Sequence, residues 1–212
     1  MMTSEYLSEL SEVEIQIASS TSKFPIVGIV ASAGGLEAFS QLLSHLPINT
    51  GMAFVMIQHM LPNGESLLTK ILARVTKMLV SQVQNGMLVE PDRVYVIPPN
   101  TQMRIFKGVL ELSPREKVFG ICMPGDAFLI SLAADRGNRA IAVVLSGSNK
   151  DGTLGLTAIK AVGGVTFAQD KDTATFDRMP LSAIATGYVD FVLSPEQIAT
   201  ELVEVGRKLE NK

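Results

Sequence analysis

Tryptophan is absent from this 212-residue chain, cysteine occurs once and histidine twice. A single cysteine, Cys122, excludes an internal disulfide framework and fits a reducing cytoplasm. With so few His and Cys residues no metal-ligand spacing arises, so no metal site is expected. Aromatic residues make up only 6% of the chain, which argues against an aromatic-rich β-sandwich. A basic excess is missing too: the formal net charge is −3, so neither nucleic acid nor an anionic membrane is an expected partner. No apolar run approaches the roughly 20 residues that span a bilayer. The N-terminus (M-M-T-S-E-Y-L-S-E-L-S-E-V-E) is acidic where a secretory signal would be basic and then apolar. Neither G-x-G-x-x-G nor G-K-[S/T] occurs, so no nucleotide cofactor is expected. The expectation is a soluble cytoplasmic protein without membrane insertion.

What is present is a chain 47% hydrophobic and 18% charged, rich in Val, Ile, Leu and Ala, as in α/β proteins. Residues 1–23, rich in Ser, Thr and Glu, read as a flexible leader or linker. Residues 24–207 read as one domain and 208–212 as a tail. The strands expected are Ile26–Ala31, Ala53–Ile57, Ala140–Leu145, Val165–Ala168 and Tyr188–Leu193. Helices are expected over about Gly34–His45, Glu65–Thr76, Pro124–Arg136, Leu154–Val162, Leu181–Ala185 and from Pro195 to about Arg207. Ser194-Pro195-Glu196-Gln197 has the form of a capping box with Pro at the first helical position. Between Val80 and Leu112 the runs are short (Val80–Val83, Met87–Leu88, Val94–Ile97, Met103–Phe106, Val109–Leu112). Lys107-Gly108 is a hairpin candidate there, and the stretch reads as a small antiparallel hairpin insertion or sheet extension.

Continuous apolar strands alternating with helices predict a doubly wound, mostly parallel sheet flanked by helices, Rossmann-like in class. In such sheets ligands sit beyond the carboxyl ends of the strands. Ser32, His59 and Asp151 each follow the carboxyl end of a predicted strand, so the fold can bring them together. A serine hydroxyl needs a base to become a nucleophile at neutral pH, and histidine is that base. A carboxylate then fixes the imidazole tautomer and stabilises the imidazolium. Backbone N–H groups near Ala33 or His59 would meet the oxyanion. Blander readings hold elsewhere: His45 as a helix-end residue, Cys122 as a small partly buried residue, Asp126 as an N-cap.

Four motifs carry a family resemblance: G-I-V-A-S-A-G-G-L-E-A, I-Q-H-M, V-V-L-S-G-S-N-K-D-G-T-L-G-L and F-D-R-M-P-L-S-A-I. Together, in this order from Phe24 to Val205, they resemble the catalytic domain of chemotaxis-receptor methylesterases (CheB-type). The A-S-A-G-G and D-G-T-L-G-L variants are most similar to the methylesterase domain of methylesterase–methyltransferase fusion proteins. The resemblance implies hydrolysis of glutamate γ-methyl esters, and in many members deamidation of glutamine, on the cytoplasmic helices of methyl-accepting chemoreceptors. It implies Ser32 as nucleophile, His59 as general base and Asp151 as orienting carboxylate, with no cofactor. Ala33 and Ser148 would lie at the oxyanion site, Met60 and Met179 in the pocket. It also implies a possible fused methyltransferase domain as partner. Two other expectations stand beside it: a weakly active or inactive receptor-binding, regulatory domain, and a small-molecule esterase or amidase on the same scaffold.

Overall fold

The computed structural model describes residues 24–58, 67–115 and 123–210. Its ten strands are, in chain order, β1 (Ile26–Ala31), β2 (Ala53–Gln58), β3 (Leu79–Gln82), β4 (Met87–Leu88), β5 (Arg93–Val96), β6 (Thr101–Phe106), β7 (Val109–Pro114), β8 (Ala140–Val144), β9 (Val165–Gln169) and β10 (Phe191–Leu193). Its helices are α1 (Gly35–Ser44), α2 (Leu67–Val75), α3 (Pro124–Arg136), α4 (Thr153–Ala161), α5 (Arg178–Ile184) and α6 (Pro195–Glu210).

Seven strands pair in the order β10-β9-β8-β1-β2-β5-β3, and every pairing is parallel. The continuous apolar runs require this. β1 is buried at all six positions, which only a sheet covered on both faces provides. Successive side chains alternate between faces. Val27 and Ile29 pack with α1, α2 and α6, whereas Ile26 and Val30 pack with α3, α4 and α5. Gly28 lies on the second face, where α3 presses close: a Cβ there would stand 2.5 Å from Leu129 Cδ2. Phe39, Phe54, Phe128 and Phe167 are fully buried, and each such side chain contributes about 1.5–3 kcal/mol.

The doubly wound class is therefore observed, and the insertion differs in detail from its expected form. β6 and β7 make the hairpin around Lys107-Gly108, both with positive φ (49° and 76°), as a tight primed turn requires. β4 adds a third antiparallel strand to it, while β3 and β5 join the main sheet instead. Short apolar runs do not say which sheet they will join.

Three boundaries also shift. Met179 and Pro180 lie inside α5 rather than ahead of it, because Pro is tolerated in a first turn whose N–H groups lack partners anyway. The last strand begins at Phe191, not Tyr188: ahead of it the Thr166 hydroxyl donates to the Tyr188 carbonyl, and Asp190 Oδ2 accepts from the Thr166 N–H. α6 runs on to Glu210, through the expected tail, because Leu209 is buried against the core.

β1 has β2 on one side and β8 on the other. The chain leaves β1 towards β2 through α1 and later returns to β8 through α3, so the winding reverses between β1 and β8. The crevice beyond their carboxyl ends is the switch point of the sheet.

Candidate active site

Ser32 follows the last residue of β1 at that switch point. The Leu145 N–H donates to the Val30 carbonyl (2.9 Å), and the Ser32 N–H donates to the Ser146 carbonyl (3.0 Å), so the β1–β8 ladder runs one step past both strands. The chain then turns sharply: the Gly35 N–H donates back to the Ser32 carbonyl at 3.0 Å. Gly34 takes φ +75° as the N-cap of α1, a conformation open to glycine. The hydroxyl-bearing residue is thus delivered by a buried strand to the positive end of a helix.

Asp151 lies beyond β8 and immediately before the N-cap of α4. It is 1% exposed. Its carboxylate accepts from the N–H groups of Gly125 (2.8 Å), Asp126 (2.9 Å) and Gly152 (3.0 Å). Gly125 and Asp126 belong to the first turn of α3, so an anion is held on otherwise orphaned helix donors. A carboxylate anchored in this way keeps one orientation, which is what holding an imidazole requires.

The loop after β8 ties these parts together. The Ser146 hydroxyl donates to the Ala33 carbonyl (2.8 Å) and accepts from the Phe176 N–H (3.0 Å). The Ser146 N–H donates to Oε1 of the buried Gln169 (2.9 Å). Gly147 bonds the 176–179 segment in both directions, its N–H to the Phe176 carbonyl (2.8 Å) and its carbonyl from the Met179 N–H (2.9 Å). A Cβ at Gly147 would stand 1.9 Å from Met179 Sδ and 3.1 Å from Ser32 Cβ. Met179, fully buried, therefore packs beside the serine turn.

Of the residues read from the sequence, Ser32, Ala33, Met179 and Asp151 gather at this edge of the sheet. Ser148 follows on the same loop with its side chain exposed. The Ala33 N–H has no acceptor among the described residues. His59 and Met60 lie outside the described residues, as does Cys122. Among the described residues no group of three or more His, Cys, Asp or Glu could hold a metal ion. His45 is the C-cap of α1 and exposed.

Asp126 departs from its expected part as an N-cap of its own helix. It lies within the first turn of α3 and accepts from the Gly155 N–H of α4 (2.9 Å). Burial, with the Asp151 charge beside it adding to the effect, pushes its carboxyl up to about 6. Sequence reasoning also passed over Ser146, Gly147 and Gln169 as individuals. The available signal was polarity: Ser146 and Gln169 close or follow apolar strands and are buried.

A serine raised on a strand-to-helix turn at the switch point of a parallel sheet, with an anchored carboxylate at the same edge, defines an α/β domain suited to nucleophilic chemistry. The comparisons narrow this further. Residues 27–202 match the family model for the CheB methylesterase. The chain is 34% identical over 181 residues to a protein-glutamate methylesterase/protein-glutamine glutaminase of Pyrococcus abyssi, covering 84% of this chain and 49% of that one. It is 47% identical over 131 residues to an uncharacterized 104.1 kDa protein of Rhodobacter capsulatus, covering 62% of this chain and 14% of the relative. The crystal structure of the Thermotoga maritima CheB methylesterase catalytic domain matches with a TM-score of 0.79 at 32% identity, covering 86% of this chain and 98% of that one. The chain belongs to the CheB methylesterase family. It spans about half the length of the Pyrococcus relative.

Proposed function

We propose that this domain is a serine hydrolase that demethylates glutamate γ-methyl esters, and deamidates glutamine, on the cytoplasmic helices of chemoreceptors. The observation that carries the reading is the position of Ser32 at the β1–β8 switch point in a chain matched to the CheB methylesterase family over residues 27–202. In this reading Ser32 Oγ attacks the ester carbonyl while His59 takes its proton. The oxyanion meets backbone N–H groups at the turn, that of Ala33 among them. Methanol leaves with the proton from His59, and the glutamyl group stays on Ser32 as an ester. Water, deprotonated by His59, then attacks that ester and frees the glutamate carboxyl and the serine hydroxyl. Asp151 orients His59 throughout. Met60 and Met179 line the pocket, and Ser148 borders it.

The substrate makes the cytoplasm its place of action, and among the described residues no helix is long and apolar enough to cross a membrane. The 104.1 kDa relative supports a setting within a longer protein, with a methyltransferase domain as the fused partner that the sequence resemblance implies.

Methanol release from a methylated chemoreceptor fragment tests the reading. Ser32→Ala should reduce it by about 10⁶-fold, as for a serine-protease nucleophile, with the melting temperature unchanged. Near-wild-type release by that variant would sink the assignment. Stoichiometric labelling of Ser32 by a fluorophosphonate separates an enzyme from a domain that only binds receptor.

A further inference from the structure

We propose that Ser146 is a positioning residue for the nucleophile, holding the Ser32–Ala33 turn from both sides; this rests on the esterase reading with Ser32 as nucleophile. Three consecutive peptide units define that turn. In the first, the Ser32 N–H donates to the Ser146 carbonyl at 3.0 Å. In the second, the Ser32 carbonyl accepts from the Gly35 N–H at 3.0 Å, which closes the turn on itself. In the third, the Ala33 carbonyl accepts from the Ser146 hydroxyl at 2.8 Å. Ser146 thus fixes two of the three, one with its backbone and one with its side chain.

The consequence follows from peptide planarity. In a trans peptide the C=O and the next N–H point in opposite directions. Drawing the Ala33 carbonyl onto Ser146 therefore turns the Gly34 N–H away from Ser146. The same logic directs the Ala33 N–H opposite to the Ser32 carbonyl. The orientation of every backbone donor flanking the serine is set by where these carbonyls are tied. Without the hydroxyl, the Ala33 peptide loses its tether and can rotate about the flexible Gly34.

The hydroxyl is also fully used. Its one proton goes to Ala33, and its oxygen accepts from the Phe176 N–H at 3.0 Å. The residue is 1% exposed, so water does not replace a lost partner readily. Ser146 is itself held, because its N–H donates to Oε1 of Gln169, whose Nε2 donates to the Thr173 hydroxyl. The tether runs from the buried Gln169 at the end of β9, through Ser146, to the turn that carries the nucleophile. None of this chain of bonds touches the reacting carbonyl, so its effect is on geometry alone.

Fluorophosphonate labelling of Ser32, followed as a maximal rate of inactivation and a half-saturating probe concentration, tests the proposal. Ser146→Ala should slow the maximal rate by about 10- to 100-fold, the scale of a 1 Å misplacement, and leave half-saturation unchanged. Ser146→Thr, which keeps the hydroxyl, should restore the rate. A purely structural role would lower the melting temperature and leave the folded protein labelled at the wild-type rate, and that result would overturn the proposal. Should Ser146→Ala fail to fold, Ser146→Cys, with a weak thiol donor of similar size, carries the same expectation and the same refutation. A wild-type protein that stays unlabelled would overturn the esterase reading first, and this proposal with it.

Discussion

Asp126 and Asp151 exchange helix caps. The Asp151 carboxylate accepts from the Gly125 and Asp126 N–H groups in the first turn of α3, and the Asp126 carboxylate accepts from the Gly155 N–H in the first turn of α4. Each acid thus holds the start of the helix that carries or follows the other. Two buried carboxylates side by side would repel, but each faces the positive end of a helix, which offsets part of that cost. The burden falls on Asp126, raised to about 6 by burial first and by the Asp151 charge as a further contribution. Asp151 accepts three backbone hydrogen bonds.

Asp126 should make stability depend on pH. The folded state keeps the Asp126 proton up to about pH 6, against an unfolded value of 3.8. The folded protein binds more protons between those values, so this group's contribution is present below pH 3.8 and is lost as pH rises through 6. Asp126→Asn keeps an acceptor for the Gly155 N–H and removes the titration. Between pH 4 and pH 7 its stability should gain on wild type by about 2 kcal/mol, read from urea unfolding. A gap between the two proteins that does not change with pH would contradict this.

Asp151→Asn should affect activity more than stability. An amide must turn its NH2 towards the Gly125 N–H or the Asp126 N–H, two donors facing each other. The unpaired donor costs about 1–3 kcal/mol. Loss of the carboxylate that orients the base lowers turnover by about 10⁴-fold in a serine-protease triad, and the same scale is expected for methanol release here. Turnover within tenfold of wild type would remove Asp151 from the proposed triad.

Gly147→Ala should disturb the serine turn through Met179. The added methyl would stand 1.9 Å from Met179 Sδ and 3.1 Å from Ser32 Cβ, so the methionine must leave its place. Overpacking of this kind costs about 1–3 kcal/mol, and labelling of Ser32 should slow with it. Adding Met179→Ala should recover part of both losses, measured by thermal melting and by labelling rate. Equal losses in the single and double variants would show that the clash lies elsewhere.

Where local chemistry decides, the sequence is a good guide. Pro124 and Arg136 bound α3 as read, since Pro at the first position and Gly137 after the last are local signals. The capping box at the start of α6 is complete: the Gln197 N–H donates to the Ser194 hydroxyl (3.3 Å), and Gln197 Oε1 accepts from the Ser194 N–H (3.1 Å). The positions of Ser32 and Asp151 at strand ends were equally legible, because apolar runs stop where the chain leaves the sheet. The sheet membership of β3 and β5 was not, since a short apolar strand can pair with any open edge.

The amino-acid sequence by itself determined the doubly wound class, the turn after β1 and the placing of Ser32 and Asp151 beyond buried strands. Apolar period, glycine placement and strand ends are properties of neighbouring residues. Tertiary structure alone decided that Ser146 grips the Ser32–Ala33 turn from 113 residues away, and that Asp126 caps α4 rather than its own helix. Those roles depend on which buried donor meets which acceptor once β8 lies against β1 and α3 against α4. A hydrogen bond between distant segments leaves no period in the sequence.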